Sequence, residues 1–253
     1  MRDAIDGVFP RSKTLLLGAF VLLTGCDTIV STAEAAESSE QAGKTTRYWD
    51  CCKPSGGWSG KAAVSSPVRT CAKDGVTAVS ASTKNACDGG TSYMATAQQP
   101  WQISSTQSYG FAAATIAGGN ESTWLCSCYN LSFGSATAVA GKSMIVQVIA
   151  TGVNSSWSQF DLLIPGGGVG IFNGCSSQWN APADGWGARY GGVSSASQCD
   201  QLPASLQPGC NWRFDWFNNA NNPNMTFHRV KCPTAITAKT GCVRNDDGGY
   251  PAN

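Results

Sequence analysis

A chain of 253 residues has room for one domain of ordinary size or two small ones. Its 17 Lys+Arg stand against 16 Asp+Glu, a near-neutral balance that argues against a nucleic-acid binder, whose footprint is strongly basic. The lone His228 removes the metal motifs built on paired histidines, so neither a metal nor another cofactor is expected.

Residues 1–35 read as an export signal. Arg2, Arg11 and Lys13 precede an apolar run over residues 14–23 that is too short to span a bilayer. Ala33-Glu34-Ala35 offers the small residues a signal peptidase reads, giving a secreted, extracellular product. Leu22-Leu23-Thr24-Gly25-Cys26 resembles a bacterial lipobox, and contact with a membrane is expected only if Cys26 carries lipid. Residues 36–46 lack aromatics and read as a flexible tether. All nine tryptophans and eleven of the twelve cysteines follow it, so one compact domain, expected to be monomeric, spans residues 47–253.

Within that domain, short apolar runs bounded by Gly, Ser, Asn and Pro predict strands over 76–81, 124–133, 143–151, 159–164, 212–217 and 225–231. Pro165-Gly166-Gly167-Gly168 ends one of them in a turn that needs glycine at positive φ. A short helix is expected after Ser195, between Cys199 and Cys210. About six strands with long loops suggest a small β-barrel, without fixing its topology.

Cysteine usage on this scale belongs to an oxidising compartment. Cys51-Cys52 and Cys126-Ser127-Cys128 do not supply the paired C-x2-C spacing of a zinc site, so the cysteines read as disulfide staples. Eleven is odd, and at least one thiol is left over.

With no histidine pair and no serine-nucleophile motif, carboxylates are the natural acid/base groups. After Arg47 there remain Glu121 and nine aspartates: Asp50, Asp74, Asp88, Asp161, Asp184, Asp200, Asp215, Asp246 and Asp247. Asp50 is wedged between Trp49 and Cys51-Cys52. Asp161 sits in the apolar run Phe160-Asp161-Leu162-Leu163-Ile164, where desolvation raises a carboxyl's pKa. A raised acid beside an ionised base on an exposed floor is the division of labour of a glycosidase. A barrel-rim aspartate bonded to backbone amides would fit the same context, and the local sequence does not choose between them.

The segment Thr45-Thr46-Arg47-Tyr48-Trp49-Asp50-Cys51-Cys52-Lys53-Pro54-Ser55 resembles the opening signature of glycoside hydrolase family 45 endoglucanases. The likeness continues through Gln159-Phe160-Asp161-Leu162, Ile164-Pro165-Gly166-Gly167-Gly168-Val169-Gly170-Ile171-Phe172, Arg189-Tyr190-Gly191-Gly192 and Cys210-Asn211-Trp212-Arg213-Phe214-Asp215. The resemblance implies a six-stranded double-psi β-barrel with disulfide-stapled loops and a groove for β-1,4-glucan, such as cellulose or soluble cello-oligosaccharides. It implies inverting hydrolysis, with Asp50 as general base and Asp161 as general acid. Thr46, Tyr48, Lys53, Trp58, Asn154 and Tyr190 are carried over as substrate-binding positions, whereas Trp212 and Trp216 read as core. The implied bridges are Cys51–Cys175, Cys52–Cys87, Cys126–Cys242, Cys128–Cys232 and Cys199–Cys210, leaving Cys71 free.

The chain departs from the family pattern in places. Asn154 replaces an accessory Asp, and Gln159 replaces a His common two residues before the acid. Gly56, Ala95 and Leu125 stand where relatives usually carry cysteine. The competing reading is an expansin-like, non-hydrolytic glucan-binding protein, which keeps the acid but lacks the base. Asp50 discriminates against it.

Overall fold

The computed structural model describes residues 39–153 and 156–252. Its strands are β1 (Gln41–Tyr48), β2 (Thr70–Cys71), β3 (Tyr93–Met94), β4 (Trp101–Gln102), β5 (Gln107–Thr115), β6 (Cys128–Phe133), β7 (Ser143–Thr151), β8 (Gln159–Leu163) and β9 (Asn224–Val230). Four α-helical segments accompany them: α1 (Glu121–Trp124), α2 (Cys175–Trp179), α3 (Gln207–Asp215) and α4 (Thr234–Thr240).

The large sheet runs β4-β5-β7-β6-β9-β1-β8, and an additional β5–β8 pairing closes six of its strands into a barrel. Two pairs, β1 with β8 and β5 with β7, are parallel, while the other barrel pairs are antiparallel. This is the closed six-stranded barrel that the resemblance implied. Closure leaves no free sheet edge among those six strands. An aromatic cluster packs its core. The Phe160 ring meets Tyr129 edge-on at 5.4 Å and Phe227 at 5.0 Å, a favourable orientation for ring quadrupoles. All five implied disulfides form, and Cys71 is free and buried.

Strands β7, β8 and β9 fall where the apolar runs placed them. The run over 124–133 is strand only from Cys128, since Trp124 ends α1, and three further expectations need correction. Residues 76–81 form a loop: Asp74 Oδ1 accepts from the Val76 and Thr77 amides, closing an Asx turn instead of extending a strand. Residues 212–217 lie largely in α3, where Trp212 stacks on Trp216 four residues on, at 5.4 Å. A short apolar run suits a buried helix as well as a strand, and Pro208 in the first turn tips this one to helix. The tether, expected to reach residue 46, ends earlier, because Gln41–Tyr48 is β1, hydrogen-bonded to β9 and then to β8. Its polar residues imitate a linker, yet the strand packs closely at Gly43, where a Cβ would stand 2.8 Å from the Met225 methyl and 3.1 Å from the Ser158 carbonyl oxygen.

Besides β1, the two-residue strands β2, β3 and β4 and the long β5 went unread. β5 is buried along most of its length, and its run Ala112-Ala113-Ala114 lacks the β-branched residues that announce a strand. The signal and lipobox lie outside the described residues, and among the described residues no helix is long and apolar enough to cross a membrane.

Candidate active site

Parallel pairing of β1 with β8 sets Thr46 beside Asp161, while antiparallel pairing of β5 sets Ala113 on its other side. Side chains alternate along β8, so Phe160 fills the core and Asp161 faces the opposite way. The Asp161 carboxyl is asymmetrically bonded. Its Oδ1 accepts from the Thr46 hydroxyl and from Gln159 Nε2, the latter at 2.6 Å. No donor among the described residues reaches Oδ2. That oxygen lies against Gly152, where a Cβ would come within 2.9 Å. A proton on Asp161 therefore belongs on Oδ2. Burial raises this carboxyl's pKa, and the Thr46 and Gln159 donors, which favour the ionised form, oppose the rise.

Asp50 is placed by the backbone that follows it. Cys51 takes φ 62°, a left-handed conformation costly for a residue with a Cβ, and is held there by its bridge to Cys175. Asp50 Oδ1 accepts the Cys52 amide at 2.9 Å, and the Asp50 carbonyl accepts that of Gly174 at 2.8 Å. The expected exposed floor is not what surrounds it. Asp50 is half-buried, and desolvation pushes its carboxyl up to about 6 despite the opposing amide hydrogen bonds. Desolvation also holds the Tyr48 phenol well above its usual range, reinforced by the negative charges of Asp50 and Asp161. One phenol thus feels both carboxylates.

Asp50 and Asp161 line a single open cavity of about 730 Å³, together with Thr46, Tyr48, Lys53 and Tyr190. Tyr190 is 72% exposed, and with the exposed Val153, Ile171 and Phe172 it gives the cavity an apolar rim suited to sugar C–H faces. Lys53 is buried, and its Nζ donates to the Ala81 and Thr83 carbonyls at 2.6 and 2.9 Å. Trp58 is not among the lining residues; its ring lies 3.3 Å from Lys53 Nζ. Asn154 falls outside the described residues. Several other aspartates have structural work: Asp74 in its turn, Asp184 paired with Arg189, Asp246 with Arg229 and Arg244, and Asp247 accepting the Cys232 amide. Among the described residues no cluster of His, Cys, Asp and Glu could hold a metal ion.

Sequence reasoning passed over Gly152 and Val153, and quoted Ile171 and Phe172 in the family likeness without assigning them to the site. An isolated glycine carries no signal of the carboxyl opposite it, but Ile171-Phe172 directly after a glycine-rich turn is an apolar pair that a loop has no folding reason to expose.

Comparison with known proteins shows the family. An endoglucanase of Cryptopygus antarcticus is 55% identical over 225 residues, 89% of this chain and 97% of that protein. An endoglucanase of Phaedon cochleariae is 45% identical over 204 residues, 79% of this chain and 84% of that one. The crystal structure of the cellulase from the Antarctic springtail, Cryptopygus antarcticus, superposes with a TM-score of 0.80 at 56% identity, covering 82% of this chain and 99% of its own. Residues 42–243 match glycosyl hydrolase family 45 itself. On these matches the chain belongs to glycosyl hydrolase family 45 and is a glycoside hydrolase of the cellulase kind.

Proposed function

We propose that the protein is an endo-β-1,4-glucanase that cleaves internal bonds of cellulose and related β-glucans with inversion, Asp50 acting as base and Asp161 as acid. The observation that carries this reading is the pair of desolvated carboxyls, borne on separate segments, that line one open cavity.

In the single displacement, Asp161 Oδ2–H donates its proton to the glycosidic oxygen as the C1–O bond breaks. A water held by Asp50 attacks C1 from the opposite face and gives its proton to that carboxylate. Inversion requires the carboxyls to stand about 6.5–9.5 Å apart so that this water fits between base and sugar. Asp50 must be ionised while Asp161 stays protonated. The amide hydrogen bond from Cys52 supports the charged state of Asp50. The bare surface of Gly152 beside Oδ2 supports an oxygen left open to the leaving group. Oligosaccharide in the cavity would displace water and raise Asp161 further.

Reducing-sugar release and viscosity loss on carboxymethyl cellulose test the reading. Asp50→Asn and Asp161→Asn should each lower turnover by about 10²–10⁴ while glucan binding persists. Full activity in either variant sinks it. Export belongs to the same proposal: N-terminal sequencing of the mature product should begin after Ala35, or at a lipid-modified Cys26 if the protein is anchored.

A further inference from the structure

The cavity wall contains a cation with no counter-charge among the described residues. Arg47 lies between Thr46 and Tyr48 on β1 and lines the cavity with Gly191, Asn221 and Asn222. Its Nε donates to the Gly191 carbonyl at 3.1 Å, and its Nη1 reaches the Asn221 and Asn222 side-chain oxygens at 3.2 and 3.4 Å. These acceptors are all neutral. Nη2 makes no hydrogen bond to any described residue. It lies beside Gly191, where φ is +102° and a Cβ would stand 3.4 Å from it, so the residue nearest it on this loop brings no side chain of its own.

A second guanidinium stands behind the first. Arg213 is buried, and its Nη1 donates to the same Gly191 carbonyl at 3.0 Å and to that of Val193 at 2.8 Å, while its Nε donates to Asn219. Burial, and then the charge of Arg47, lower the Arg213 pKa to about 10. Among the described residues no carboxylate forms a salt bridge with either arginine. The neighbouring cavity arginine differs, since Arg189 is paired with Asp184 at 2.9 Å. Two like charges converging on one carbonyl repel each other and cost desolvation, and no carboxylate among the described residues is paired with them to offset that cost. An uncharged glucan offers hydroxyl acceptors but no charge to balance it.

We propose that Arg47 Nη2, with the field of Arg213 behind it, forms a subsite for a carboxylate carried on the polysaccharide, such as a uronic-acid or carboxymethyl substituent. Guanidinium N–H groups match carboxylate oxygens in geometry and charge. The inference rests on the glucanase reading of the site and adds a substrate class to it.

The experiment compares the full-length wild type, Arg47→Gln and Arg47→Lys on carboxymethyl cellulose and on an uncharged mixed-linkage β-glucan, at low and high salt. The quantity read is the ratio of kcat/KM on the charged substrate to that on the neutral one. Arg47→Gln should lower the ratio by about two- to fivefold, as expected for loss of one partly exposed ion pair. Arg47→Lys, which keeps the charge, should recover much of it. High salt should lower the wild-type ratio toward that of the Gln variant, because screening shortens the reach of the field to about 3 Å at molar salt. If Arg47 only braces the Gly191 loop, both substrates lose equally and the ratio holds, which overturns the inference. A salt-insensitive wild-type ratio overturns it too, even where Arg47→Gln fails to fold. A wild type that leaves both substrates intact instead removes the glucanase reading, and the inference falls with it.

Discussion

Replacing Asp50 by Asn should inactivate the enzyme and stabilise it at the same time, with the gain confined to one side of a pH window. The Asp50 carboxyl is raised from 3.8 to about 6 by desolvation. A carboxyl whose folded pKa exceeds its unfolded value disfavours folding once it ionises. The wild type therefore carries no penalty below about pH 4 and accumulates it as pH rises through about 6. A rise from 3.8 to about 6 corresponds, at about 1.36 kcal/mol per tenfold change in acidity, to a penalty of about 3 kcal/mol above pH 7. Asn avoids the charge yet still offers an oxygen to the Cys52 amide, so the local hydrogen bond survives. For a domain of this size the penalty corresponds to a Tm difference of about 6–12 °C, vanishing toward pH 4. Thermal unfolding of both forms between pH 3.5 and 8, with disulfides intact, supplies the comparison. Equal Tm differences at pH 4 and pH 8 would show that Asp50 is not desolvated in the way its surroundings require.

Thr46→Val and Gln159→Leu each remove a donor that favours ionised Asp161. Either change should move the alkaline limb of the kcat/KM profile upward, because the acid then keeps its proton to higher pH; an unmoved limb would contradict Oδ1 as the shared acceptor. Burial raises the Cys71 thiol to about 11. In a Cys26→Ser chain, a thiol reagent should therefore find no reactive group in the native protein and one after denaturation without reductant. Three groups in the denatured chain would break the disulfide assignment.

How far the site could be read in advance varies from residue to residue. Asp161 stood out because a carboxylate inside an apolar strand demands a reason, and β8 lies where its apolar run placed it, but the local sequence left its role open and only the family resemblance named one. Asp50 was legible only through the surrounding signature. Its desolvation was not, since burial there comes from the folded cavity and from Cys51 in a left-handed conformation, neither of which a linear context encodes. The barrel was suggested by strand count, but its closure depends on β1 and β5. β1 looks polar because its pairing is carried by backbone rather than by side chains, and β5 is built from residues small enough for close approach. α3 was mistaken for a strand because a short aromatic run has no resolvable period. Trp58 illustrates the reverse error: an aromatic near the signature lies against Lys53 and outside the cavity lining.

The central claim is the single displacement between Asp50 and Asp161, and the stereochemistry of the first product tests it most directly. Cello-oligosaccharide hydrolysis should be followed by proton NMR from the earliest turnovers, before mutarotation mixes the anomers. A base-held water attacking opposite the leaving oxygen must release the α-anomer first from a β-1,4 bond. Initial β-anomer, or a glycosyl group trapped on either aspartate, would mean that a carboxylate attacks C1 itself, and would contradict the roles assigned to Asp50 and Asp161.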